Sequence, residues 1–370
     1  MPRAWADVSL DAVAANVRAL RQLCAPAEVC AVVKAGGYGH GAVPVARAAV
    51  GAGAAWVAVA QVDEATELRD HGITAPILLL SEPRITDLDE VLAADVAVTA
   101  YTPTLVGHLA AAASGGPPVS VHLKVDTGMH RVGAAPDAVV GLAEMVAEDP
   151  RLSLDGLWTH CAVADEPDDP FTARQLERFD AALAALDQAG LSVSLRHAAN
   201  SAAAIAHPAS RYDLVRCGIA VYGISPAPVL SDRVALTPAL RLATEVALVR
   251  PLAAGEGISY GLRHHLDRDT YVATVPIGYA DGVTRALGTL GQEVLIGGQR
   301  RPMVGVVTMD QVMVDVGPAG DVAAGDEVVL LGVQGDERIT PEEWGARLGT
   351  IAYEVVCDLG ARVERRYSGP

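Results

Sequence analysis

Short apolar, β-branched runs recur through the first two-thirds of the chain. They fall at Glu28–Lys34, Trp56–Ala60, Pro76–Leu80, Asp95–Ala100, Val119–Val125, Leu154–His160, Val193–Ala198 and Leu214–Tyr222. Most are separated by stretches of helical period. Ser9 can cap the first of these helices, whose Leu10, Val13, Val17 and Leu20 share one face. Arg174–Leu186 is a second amphipathic stretch. Eight β units alternating with α units predict an α/β fold, a (β/α)8 barrel of the TIM type. A doubly wound sheet follows from the same alternation, but it expects a G-x-G-x-x-G first turn. The first turn here, Ala35–Gly41, holds glycines without that motif.

The pattern changes after about Pro228. Ala243–Pro251, Tyr271–Ile277, Glu293–Ile296, Pro302–Val316 and Asp326–Leu331 read as strands between Gly and Pro turns, with one late helix at Pro341–Leu348. The predicted division is residues 1–232 for the barrel and 233–370 for a mainly-β C-terminal domain. The first few residues are candidates to pair with that second domain.

Composition narrows the class. The chain has 370 residues, enough for two or three domains, and half of them are hydrophobic. No run approaches a membrane span and the N-terminus lacks an apolar signal region, so the expectation is a soluble, cytoplasmic protein without membrane partners. A formal net charge of -17 argues against nucleic acid, whose phosphates demand a basic face. The five cysteines are widely spaced without a C-x-x-C, which predicts buried free thiols and no metal site.

One compositional feature bears on chemistry. Of 28 basic residues only Lys34 and Lys124 are lysines. A codon-level preference for arginine explains the scarcity. It also marks the two survivors, because an arginine stays protonated whereas a lysine amine can lose its proton and act as nucleophile or base. In a barrel the active site lies at the C-terminal ends of the strands. Lys34 ends the first barrel run and Lys124 the fifth, followed by Asp126, Thr127 and Arg131. His160 ends the sixth, Asn200 and Ser201 follow the seventh, and Arg216 lies in the eighth ahead of Gly218 and Ile219. Loops after the last two strands are the usual phosphate position, which Ser201 and the amides of Gly218 and Ile219 can serve.

Several segments resemble the motifs of alanine racemases. They are AVVKAGGYGHG (31–41), KVDTGMHRVG (124–133), GLWTHCAVADE (156–166), HAANSAA (197–203), DLVRCGIAVYGISP (213–226), GISYG (257–261), VPIGYADG (275–282), VTMDQVMVDV (307–316) and GTIAYE (349–354). They come in the family's order and cover nearly the whole chain. The resemblance implies a pyridoxal 5'-phosphate (PLP) enzyme that interconverts L- and D-alanine and supplies D-alanine for cell-wall peptidoglycan. It also implies a homodimer with shared active sites.

Carried over position by position, the resemblance makes Lys34 the Schiff-base lysine and one acid–base group. Tyr260 of the partner subunit is the other. His160 and Arg216 match the hydrogen-bonded chain that supports this tyrosine, since a phenol is a poor base unless cations lower its pKa. Arg216 also matches the residue that faces the pyridine nitrogen. A guanidinium accepts no proton, so the ring stays a weaker electron sink and transamination is limited. Arg131 matches the group that holds the substrate carboxylate and the cofactor's phenolic oxygen, and Met309 of the partner subunit adds a main-chain contact. Tyr38, Ser201, Gly218, Ile219 and Tyr353 match the phosphate cradle, with Asn200 beside it as a further cofactor contact. Tyr279 and Asp310 match residues of the substrate entrance. Lys124 matches a lysine that many members carry as a carbamate.

The chain departs from the common pattern at Gly36 and Gly37 (usually Asn-Ala), His130 (often Gly), Val306 (Arg) and Thr308 (Cys or Ser). The two glycines are expected to loosen the turn after Lys34. A racemase of broader or shifted specificity, such as for serine, is the nearest alternative. A non-catalytic PLP-binding barrel protein lacks a second domain. A fold-related decarboxylase expects a Gly-rich phosphate loop and a catalytic cysteine that are not found here.

Overall fold

The computed structural model describes residues 4–113 and 115–369. The chain separates into two compact units. One comprises Asp11–Gly37 and Ala42–Thr237; the other comprises the described parts of Met1–Leu10, Tyr38–Gly41 and Pro238–Pro370.

Strand β1 (Trp5–Ser9) leads into a helix, Leu10–Cys24, whose Val13, Val17 and Leu20 are fully buried as their spacing demands. Eight short strands follow: β2 (Glu28–Val32), β3 (Trp56–Val59), β4 (Ile77–Leu79), β5 (Val98–Ala100), β6 (Val119–Lys124), β7 (Leu152–Trp158), β8 (Leu195–His197) and β9 (Leu214–Cys217). All pair in parallel, in the orders β4-β3-β2-β9 and β5-β6-β7-β8. The two arcs meet where the Leu79 amide donates to the Ala97 carbonyl (3.0 Å) and where the Arg216 amide donates to the Ala199 carbonyl (2.9 Å). The ring so formed is the (β/α)8 barrel. Its strands read as continuous apolar runs because helices cover one face and the barrel core the other.

The C-terminal ends of three strands fall well short of the sequence expectation. β2 stops at Val32, because the chain at Ala35, Gly36, Gly37 and Tyr38 has φ of 53°, 58°, 63° and 51°, a left-handed turn no strand can contain. β7 runs two residues earlier than expected, which leaves His160 in the loop beyond it. The last run breaks at Gly218 (φ −100°, ψ −95°), and Ile219–Tyr222 forms a 3-10 turn instead of strand.

The second unit is built on a mixed sheet. Its strands are β10 (Leu240–Glu245), β11 (Leu248–Leu252), β12 (Gly257–Ile258), β13 (His264–His265), β14 (Thr270–Val275), β15 (Glu293–Ile296), β16 (Gln299–Pro302), β17 (Val312–Gly317), β18 (Glu327–Gln334), β19 (Glu337–Ile339) and β20 (Glu364–Ser368). The largest sheet runs β16-β15-β18-β10-β1-β20, with β1 antiparallel to β10 and parallel to β20. The expected strand Ala243–Pro251 is two strands, and Pro302–Val316 is interrupted by the loop that carries Met309. A second short helix, Ala352–Cys357, follows the expected one at Pro341–Leu348 and leaves Cys357 exposed, against the expectation of a buried thiol. Among the described residues, no helix is long and apolar enough to cross a membrane.

Candidate active site

The catalytic end of the barrel gathers Lys34, Lys124, Arg131, His160, Asn200, Ser201, Arg216, Gly218 and Ile219 on the loops and strand ends of one unit. Arg216 is its hub. The side chain is buried, with its guanidinium carbon 4.4 Å from the Trp158 ring centre. It donates to the carbonyls of Thr159 (2.7 Å) and Ala198 (3.0 Å) and to His197 Nδ1 (2.8 Å), and it lies 3.3 Å from His160 Nδ1. Burial lowers its pKa to about 10, which still leaves a full charge at neutral pH.

A guanidinium only donates, so its contacts dictate tautomers. His197 must accept at Nδ1 and therefore carries its proton on Nε2, 2.9 Å from His122 Nδ1. His122 in turn accepts, so a directed chain runs from Arg216 through His197 to His122. Burial, reinforced by the Arg216 charge, keeps both rings neutral; His122 falls to about 4 despite the opposing charge of Asp155. Trp158 stacks on His197 with ring centres 5.6 Å apart. The strand opposite leaves room for His122 only because residue 156 is glycine: a Cβ there would overlap the imidazole. His160 stands between two donors, with Arg216 3.3 Å from Nδ1 and the Asn200 amide nitrogen 3.5 Å from Nε2. Burial, then the charges of Arg216, Lys124, Arg131 and Lys34, hold His160 well below the ordinary histidine range.

Lys124 is buried, with Nζ 4.2 Å from the Trp158 ring centre. Burial lowers its pKa to about 7; Arg216, Arg131 and Lys34 add to the shift and Asp126 opposes it. Asp126 shapes the loop that ends in Arg131. Its Oδ1 accepts from the amides of Gly128 (2.9 Å) and His130 (3.0 Å), and Oδ2 lies 3.0 Å from His130 Nδ1. Those bonds outweigh burial and hold the carboxyl below its usual range. His130 sits at φ 54°, a conformation that explains why glycine is common there.

At the other end of the cluster, Asn200 caps the helix Ser201–Ala206 by accepting from the Ala203 amide (2.9 Å). Ser201 Oγ accepts from the amides of Gly218 (3.0 Å) and Ala220 (3.4 Å), so the phosphate-position loops are tied to one another.

The remaining sequence-assigned residues belong to the other unit. The rings of Tyr38 and Tyr353 lie 6.3 Å apart. Tyr260 (72% exposed), Met309 (53%) and Tyr279 (43%) project from it. The Met309 loop is held by the amides of Tyr279 and Ala280, which donate to the carbonyls of Thr308 (3.0 Å) and Met309 (3.1 Å). Arg362 bridges Asp310 (2.9 Å) and Asp281 (2.9 Å). Thr308 donates its hydroxyl to the Gln311 carbonyl (2.9 Å), a turn-closing use that a serine can replace.

The family model "Alanine racemase, N-terminal domain" matches residues 8–226, and "Alanine racemase, C-terminal domain" matches residues 239–367. The alanine racemase of Symbiobacterium thermophilum is 49% identical, covering 99% of this chain and 97% of the relative. That of Mycobacterium tuberculosis is 46% identical, covering 98% and 96%.

The chain belongs to the alanine racemase family.

Solved members share the architecture. The alanine racemase of a D-cycloserine-producing Streptomyces lavendulae superposes with a TM-score of 0.94 at 41% identity, over 100% of this chain and 98% of that one. The Bacillus anthracis alanine racemase with bound L-Ala-P gives 0.93 at 38% identity, over 100% and 96%.

Residues outside the family motifs prove to organise the site, and others within them went unassigned. Gln175, on the helix Phe171–Gln188, accepts from the Ala162 amide and donates to Thr127 Oγ1 and to the His160 carbonyl (2.8, 3.2 and 3.1 Å), joining two catalytic loops. Glu64 does the same for Lys34's turn. Its only sequence signal is the Q-x-x-E of a helix capping box, which by itself speaks of a helix start. His197 and His122 lie within or beside quoted motifs, yet only the structure joins them to Arg216.

Proposed function

We propose that the chain is a PLP-dependent alanine racemase, interconverting L- and D-alanine by a two-base mechanism and supplying D-alanine for peptidoglycan in the cytoplasm. The observation that carries this reading is the placement of both lysines of the chain among Arg216, Arg131 and His160 at the catalytic end of the barrel, within a family match over nearly the whole chain.

These residues fit the cofactor. Lys34, Lys124, Arg131 and Arg216 make a cationic patch on a chain of net charge -17, opposed there by Asp126. Such a patch suits a phosphate and a substrate carboxylate. Lys34 offers the amine for the cofactor aldehyde. Ser201 and Ile219, with Asn200 capping the adjoining helix and the Gly218 amide turned to Ser201 Oγ, offer the phosphate a hydroxyl and a backbone amide; Gly218, Tyr38 and Tyr353 are assigned to the same phosphate on the family pattern.

When bound, PLP supplies the electron withdrawal that makes the substrate's α-hydrogen acidic. Lys34 Nζ takes or returns that proton on one face of the α-carbon, and the phenol of Tyr260 of the partner subunit does so on the other. His160, held beside the Arg216 charge, is assigned on the family pattern to the hydrogen-bonded chain that supports that phenol. Arg216, which cannot accept, leaves the pyridine nitrogen unprotonated. Arg131 orients the substrate carboxylate, and the main-chain amide of Met309 of the partner subunit adds a second contact. Tyr279 and Asp310 restrict the entrance. Lys124, whose amine is about half neutral near pH 7, is suited to add carbon dioxide: the nitrogen bonds to carbon, a proton leaves to solvent, and the resulting anion orients Arg131. The functional division follows the two compact units, with Tyr38–Gly41 counted in the second, and the working form is a homodimer.

The test is D-alanine formation from L-alanine, with and without added PLP, against a panel that includes serine. Lys34→Arg should abolish turnover, and a variant that still racemises would overturn the assignment. Faster turnover of serine than of alanine would shift the reading to a racemase of different specificity.

A further inference from the structure

The left-handed turn after Lys34 is a conformation that persists only where its surroundings hold it, because Ala35 and Tyr38 carry side chains at φ 53° and 51°. One internal tie is the Gly37 amide donating to the Val33 carbonyl (2.9 Å). A further tie comes from a different loop. Glu64 Oε1 accepts from the Ala35 amide at 2.6 Å, while Oε2 accepts from the amides of Ala60 (2.8 Å) and Gln61 (3.2 Å). The carboxylate therefore spans the loops after β2 and β3. Capping the helix Val62–Asp70 needs only the second oxygen. The reach of the first to Ala35 serves no helix, and it grips the residue bonded directly to Lys34.

The geometry points to Glu64 as a positioning residue for Lys34: its carboxylate locks the left-handed turn and thereby the direction of the Lys34 side chain. The loops after β4 and β5 use the same device, where Glu82 Oε1 accepts from the amides of Tyr101 (2.6 Å) and Thr102 (2.7 Å). Only the Glu64 latch closes on the chemistry. A charged acceptor is suited to this, since a hydrogen bond to an ionised oxygen is roughly twice as strong as a neutral one.

The inference rests on the proposed function for its kinetic and PLP-affinity arms and not for the Ala35 amide signal. In holoenzyme, Glu64→Ala should lower kcat roughly ten- to a hundredfold, the factor one charge-assisted hydrogen bond carries, with KM changed less than about twofold. Glu64→Gln, which keeps an acceptor for Ala35 but sets an amino group against Ala60 or Gln61, should fall between the two. Independently of activity, the Ala35 amide proton should move upfield in the NMR spectrum of Glu64→Ala, and the equilibrium affinity for PLP should weaken. A Glu64→Ala protein with a lower Tm but wild-type kcat and PLP affinity would reduce Glu64 to a helix cap and overturn the inference. If Glu64→Ala does not fold, Glu64→Gln decides it, an unchanged kcat and unchanged Ala35 amide refuting the role. Should the wild type fail to racemise alanine, the functional reading falls, and the Ala35 signal still judges Glu64.

Discussion

Lys124 is a buried amine between two opposed influences. Burial and the charges of Arg216, Arg131 and Lys34 favour the neutral form, while Asp126 and the Trp158 face, 4.2 Å from Nζ, favour the ammonium. With burial dominant, the folded pKa is about 7, against about 10.4 in an unfolded chain. Between those values the unfolded state binds the additional proton, so stability rises with pH. The penalty for Lys124 is then fully present below about pH 7 and relieved as pH approaches the unfolded value. Worked through, the linkage gives about 2 kcal/mol of relief between about pH 7 and about pH 9, from a total of about 5 kcal/mol. The perturbation is Lys124→Met, which keeps the stem and removes the titration. Urea unfolding of both proteins, at equal cofactor content and protein concentration in bicarbonate-free buffer, should show wild type gaining about 2 kcal/mol on the variant over that range. A difference that stays flat with pH would refute the reasoning and mean that Lys124 folds as an ammonium over Trp158. With isotopically labelled bicarbonate added, wild type should show a carbamate carbon signal near neutral pH, and Lys124→Met should not.

Two further substitutions separate backbone from packing effects. Gly36→Val should destabilise by about 1–2 kcal/mol in chemical denaturation, with Gly36→Asn costing less, because a Cβ at φ 58° meets nothing within 4 Å and only the left-handed backbone is penalised. Equal stability of all three proteins would refute the turn geometry. Gly156→Ala should cost about 1–3 kcal/mol by driving a methyl into the His122 ring. Adding His122→Ser should recover part of the loss, and strict additivity in the double-mutant cycle would deny the contact.

Much of the barrel is legible because its strands are buried on both faces and must be short and apolar. β2, β3 and β6 fall inside runs visible in the chain. The ends are harder. Lys34, His160 and Ile219 continue their runs in composition, but each lies past the last ladder bond, in a turn set by contacts with other loops. In the second unit, Pro302–Val316 stays apolar through the Met309 loop because Val304, Val306 and Val307 are buried without being strand. Hydrophobicity reports burial there and says nothing of hydrogen bonding.

The site divides along a similar line. Residues that meet substrate or cofactor carry reactive side chains, and in a chain with two lysines those stand out before any fold is known. Residues that aim them do not. Glu64 reads as a helix start, Gln175 as one polar position of an amphipathic helix, and His122 as an isolated histidine in an apolar strand. Each acquires its role from a bond between segments distant in sequence: 29 positions separate Glu64 from Ala35, and 75 separate His122 from His197. The glycines after Lys34 show the same dependence in reverse. In sequence, Gly36 and Gly37 suggest a looser turn. In the fold both occupy left-handed backbone, and a Cβ on Gly37 would stand 3.1 Å from the Ala42 main chain. There glycine removes a strain that any larger residue would carry. The departure from Asn-Ala therefore matches the left-handed backbone of this turn, which the Glu64 carboxylate ties to the next loop through the Ala35 amide.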